Sequence, residues 1–84
     1  MKEVKQMKAL EFENWKKENG RSIKDYYVNR ISYKFVTMND NWIAIFEYDH
    51  VRGEYIPLIQ AKDIEHAESY CFMREPVPVP VERI

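Results

Sequence analysis

The stretch Ser22-Ile23-Lys24-Asp25-Tyr26-Tyr27-Val28-Asn29-Arg30-Ile31 decides the fold, because it reads in two ways. Ser22 offers an N-cap, and Asp25 stands three residues on, where a capping box places an acid. From that cap Ile23, Tyr26, Tyr27 and Ile31 make an apolar face at helical spacing, which predicts a short helix over 23–31. The competing reading is a strand beginning near Tyr27, since Tyr26-Tyr27-Val28 carries strand propensity. The cap favours the helix.

Upstream, residues 3–18 read as a first helix, rich in Glu, Lys, Gln, Met, Ala and Leu, with no proline and no β-branched residue after Val4. Asn19-Gly20 is its stop, with Gly20 suited to a left-handed position. Downstream, residues 33–60 predict a three-stranded antiparallel meander. Its strands are Tyr33 to Thr37, Trp42 to Asp49 and Glu54 to Ile59, joined by an Asn39-Asp40-Asn41 turn and a loop that ends at Gly53. Apolar residues on both faces make the second strand central. Pro57 lacks the N–H of a ladder position, so the third strand lies at an edge or carries a bulge.

Residues 62–74 read as a closing helix with Ile64, Ala67 and Cys71 on one face, stopped by Pro76. The repeat Pro76-Val77-Pro78-Val79-Pro80-Val81 then suits polyproline II. The expected fold is α+β in the order α-α-β-β-β-α, with the helices covering one face of the meander. Residues 1–75 form the domain and 76–84 an extended Pro/Val tail. Trp15, Ile31, Phe35, Ile45 and Ile64 are the expected core.

Several classes are disfavoured at once. Cys71 is the one cysteine among 84 residues, so no internal disulfide forms. The longest apolar run, Trp42 to Phe46, is far short of the roughly 20 residues of a membrane helix. No apolar stretch follows Met1-Lys2-Glu3-Val4-Lys5, so a cytoplasmic protein without an export signal is expected. His66 and Cys71 diverge on a helix, Asp63 and His66 lack a third ligand nearby, and His50 beside Asp49 reads as a solvated turn. Cys71 falls on a buried face, where a thiol is a small hydrophobe. Two glycines leave no phosphate-cradling loop. The expectation is no enzyme, no metal and no cofactor.

Net charge is −1, but residues 1–34 carry nine Lys/Arg against five Asp/Glu, and residues 35–84 carry four against nine. The split predicts a basic and an acidic pole if the two segments stay apart in space. On the acidic side, Tyr48 and Tyr55 are rings of the kind that anchor interfaces. Glu47, Asp49, Glu54, Glu65 and Glu68 around them suit a basic partner surface, such as that of a nucleic-acid-handling protein. The expected function is therefore a non-enzymatic inhibitor or adaptor that binds another protein, homodimerisation included. The alternative is direct nucleic-acid binding through Lys5, Lys16, Arg21, Lys24, Arg30 and Lys34, interleaved with Tyr26, Tyr27 and Tyr33.

Overall fold

The computed structural model describes residues 5–74. Its elements are β1 (Met7–Lys8), α1 (Ala9–Asn19), β2 (Gly20–Val28), β3 (Ile31–Met38), β4 (Ile43–Asp49), β5 (Glu54–Ala61) and α2 (Ile64–Met73). The strands form one antiparallel sheet in the order β1-β5-β4-β3-β2.

Turn chemistry sets the hairpins. Asn29 and Arg30 have φ of 55° and 66°, the left-handed pair that a two-residue type I′ turn requires, and they set Val28 opposite Ile31. Asn41, at φ 75°, closes β3 onto β4, while Asp40 Oδ1 accepts the Trp42 N–H at 3.1 Å. Between β4 and β5, Asp49 Oδ1 accepts the N–H groups of Val51 and Arg52 at 3.0 and 3.2 Å, and Gly53 supplies φ 67°. The helices are capped by acids: Glu11 Oε1 accepts the Lys8 N–H at 3.1 Å, and Asp63 Oδ1 accepts the His66 N–H at 2.8 Å.

Strand alternation divides the core between two faces. Val36, Met38, Ala44 and Phe46 pack with Met7 and Phe12 beneath α1. Tyr33, Phe35, Ile43 and Ile45 pack with Ala61, Ala67 and Cys71 beneath α2. Gly20 joins α1 to β2 with no loop between them. A Cβ there would lie 2.5 Å from Val36 Cγ1 and 3.2 Å from the Lys16 carbonyl oxygen, so glycine is needed for space. Its φ of −114° is not left-handed.

The architecture corrects the expected α-α-β-β-β-α order. Residues 20–28 are a strand, so the meander has four strands, and Met7–Lys8 adds a fifth at the far edge. The strand wins because it pairs with β3 from Val28 to Gly20 and places Tyr26 and Val28 against the α2-side core. A helix over 23–31 would leave that side of β3 without backbone partners. The two long helices lie on opposite faces rather than together. The first begins at Ala9, because Met7 and Lys8 pair with Tyr55 and Glu54. The bulge expected around Pro57 is present: β5 advances three residues between Gln60 and Pro57 while β4 advances two. Phe35 and Ile45 are fully buried, whereas Trp15, Ile31 and Ile64 border the core. The Pro/Val tail expected at 76–84 lies outside the described residues.

Candidate functional site

An eleven-residue helix spans about 16 Å, and a nine-residue strand about 30 Å. α1 therefore leaves part of its sheet face uncovered. There Asp25, Tyr27, Ser32, Lys34, Tyr48 and Tyr55 border an open hollow of about 530 Å³. The register produces this grouping, with Asp25 opposite Lys34, Tyr27 opposite Ser32 and Tyr48 opposite Tyr55. The Tyr48 and Tyr55 rings lie 4.8 Å apart, and Tyr55 stacks on Phe12 at 4.1 Å. Tyr27 is 70% exposed, and Lys34 reaches across to the Asp25 carboxylate. The result is a tyrosine shelf, anchored to the core at Tyr55 and open at Tyr27.

The two sequence-predicted anchors, Tyr48 and Tyr55, are thus neighbours, but the acids expected around them are dispersed. Glu47 faces α2 and accepts a hydrogen bond from Arg74 Nη1 at 2.9 Å. The Arg74 guanidinium also lies 5.9 Å from the ring centroids of Tyr33 and Tyr70. Burial pulls the Arg74 pKa down, but the bond to Glu47 and the facing phenols outweigh it and leave it raised. Burial likewise raises Tyr33. Asp49 serves its hairpin. Glu54 is held below the usual carboxylate range by hydrogen bonds from Gln6 and Lys8. Glu68 pairs with Lys24 at 2.8 Å, and Glu65 is exposed on α2.

The basic residues do not form one stripe either. Lys16 pairs with Glu13 at 2.9 Å, Arg21 donates to Asn41, and Arg30 sits in the β2–β3 turn. Lys24 bonds α2 on one face, while Lys34 belongs to the shelf on the other. Lys5 is exposed ahead of β1. The pairs Lys8–Glu54 and Lys24–Glu68 join the basic N-terminal segment to the acidic remainder, so the expected poles interleave. Sequence reasoning missed Asp25, Tyr27 and Ser32 as shelf residues. The available signal was Asn29-Arg30, two turn residues between segments rich in aromatic and β-branched side chains.

A second, apolar groove of about 610 Å³ runs between α2 and β5, lined by Trp42, Ile59, Gln60, Tyr70 and Met73. Gln60 pairs with Ala44, so its side chain turns to the α1 face, where Oε1 is buried without a partner among the described residues. Arg74 also lines the groove. Cys71 is buried on the sheet-facing side of α2, and burial pushes its thiol up to about 11. Among the described residues no cluster of His, Cys, Asp or Glu could hold a metal ion, and no helix is long and apolar enough to cross a membrane. Comparison with family models, curated proteins and solved structures finds no match for this chain.

Proposed function

We propose that this chain is a non-enzymatic protein-binding module, a small cytoplasmic inhibitor or adaptor, that engages its partner through the tyrosine shelf. The observation that supports this reading is the uncovered half of the α1 face, where Tyr27 and Tyr48 stand beside Ser32 and the Asp25–Lys34 pair. Tyrosine offers large amphipathic area at low conformational cost, and serine offers adaptable hydrogen bonding, a combination that suits protein recognition. A folded scaffold beneath the shelf limits the ordering cost of binding. The exposed Asp25 carboxylate beside Tyr27 favours a partner that carries basic side chains.

The test compares the wild type with Tyr27→Ser/Tyr48→Ser as baits in native extract, and counts only species that the wild type captures and the variant loses. Tyr55 is left intact because its ring supports Phe12. Loss of capture with a retained thermal melt supports the shelf; equal capture by both baits sinks it. An anisotropy titration against mixed DNA and RNA completes the test, since tight binding that weakens steeply with salt would replace this reading with nucleic-acid binding.

A further inference from the structure

The two open edges of the sheet are not equivalent. β5 is covered by β1 at Tyr55 and Glu54, and beyond them its edge is interrupted mid-strand by Pro57 and the bulge, whereas the register shift of β2 lies at its first residues. Mid-strand interruptions block strand addition. The outer side of β2 has no strand against it among the described residues, and its nine residues contain no proline. The Asn29-Arg30 turn fixes its phase. A two-residue hairpin makes Val28 and Ile31 a hydrogen-bonded pair, so Val28, Tyr26 and Lys24 bond β3. Tyr27, Asp25 and Ile23 turn their N–H and C=O groups outward. Arg21, the bulge residue between Gly20 and Ser22, ends this row, and its guanidinium, which donates to Asn41, would exchange that bond for one across a newly paired edge.

We propose that the outer edge of β2 pairs with β2 of a second copy of this chain, antiparallel and centred on Ile23. A two-fold axis through Ile23 places that residue against itself, and both copies present outward amide groups there. The same axis sets Arg21 against Asp25 twice, giving two cross-strand pairs of opposite charge. Lys24 then faces Ser22. The other charged outward centres match poorly, since Asp25 would meet Asp25 or Arg21 would meet Arg21, and a centre on Tyr27 would form no ion pair. Charges that protect an edge against foreign strands are therefore self-complementary in the Ile23-centred register. The Asp25 carboxylate bonds Lys34 yet its side chain stays 77% exposed, so it can also accept from the second copy's arginine. Pairing also covers Ile23, now 38% exposed, and joins two five-stranded sheets with both tyrosine shelves on one side. This contact lies beyond the shelf reading and does not depend on it.

Sedimentation equilibrium from micromolar to millimolar protein tests the pairing. The wild type is expected to approach twice the 10.2 kDa chain mass as concentration rises. Arg21→Asp and Asp25→Arg should each raise the dissociation constant about tenfold or more, and the double reversal should bring it back to within about threefold of the wild type. Ile23→Pro removes one outward N–H without touching the β3 ladder, and should leave a folded monomer. A wild-type monomer at millimolar concentration overturns the proposal. So does a dimer indifferent to all three changes, or a charge reversal that the double variant fails to rescue.

Discussion

The two faces of the sheet solve the same packing problem with different side chains. Beneath α1 the contacts are aromatic: Phe12 meets Phe46 edge-on at 5.0 Å, and Trp15 meets Phe46 at 5.3 Å. Beneath α2 the helix contributes Ala67 and Cys71 against Phe35, Ile43 and Ile45, and its end is tied down. Asn29 Nδ2 donates to the carbonyl oxygens of Phe72 and Arg74, and Arg74 binds Glu47. Small helix residues bring a backbone close to a sheet, whereas a few large rings concentrate contact at one end. The α1 face is therefore sealed over Phe46 and open over Tyr27 and Tyr48. The tyrosine shelf and half of the core occupy the same side of one sheet.

The sharpest way to break that comparison is to empty each core in turn. Phe46→Ala beneath α1 and Phe35→Ala beneath α2 should each cost about 3–5 kcal/mol in chemical denaturation. Both side chains are fully buried. A much smaller loss for Phe46 would mean that α1 contributes little to the fold. Gly20→Ala comes next, at about 1–3 kcal/mol, because the new methyl group must displace the buried Val36 or the end of α1. Its companion Gly53→Ala meets open space but a φ of +67°, so its cost arises from backbone strain instead.

A smaller effect separates the faces by pH. The Cys71 thiol titrates near 11 in the fold against 9.0 for an unperturbed thiol, because burial disfavours the thiolate. Its contribution to stability is therefore complete below pH 9 and declines as pH rises between those two values, since the unfolded chain ionises first. Melts of Cys71→Ala should lack this part of the alkaline decline, and disulfide-exchange reagents should label Cys71 only on unfolding. The smallest effect belongs to the shelf. Tyr27→Ser, at a mostly exposed position, should change stability by no more than about 0.5 kcal/mol, in contrast to the core residues beside it.

Much of the fold was legible where the signal is local. The strands β3, β4 and β5, their turns, the bulge near Pro57 and the helix from Ile64 follow from turn chemistry and short-range alternation. The site was half legible. Tyr48 and Tyr55 stood out as rings, but Asp25, Tyr27 and Ser32 were hidden inside a segment whose apolar residues fit both a helical and an extended period. The acids beside the tyrosines were legible as charge but not as partners, because Glu47 is bonded by a residue 27 positions away and Glu68 by one 44 positions away.

By itself the amino-acid sequence determined an α+β domain built on antiparallel hairpins, because asparagine, aspartate and glycine at the turns set chain reversals through contacts only a few residues long. Tertiary structure alone decided that 20–28 is a strand, since the backbone groups of β3 needed partners that no neighbouring residue could supply. It also decided that the helices lie on opposite faces, because the alternation of β3 and β4 leaves two apolar surfaces to bury. And it interleaved the two charged segments, since Lys24 and Glu68 meet only once α2 lies across the sheet.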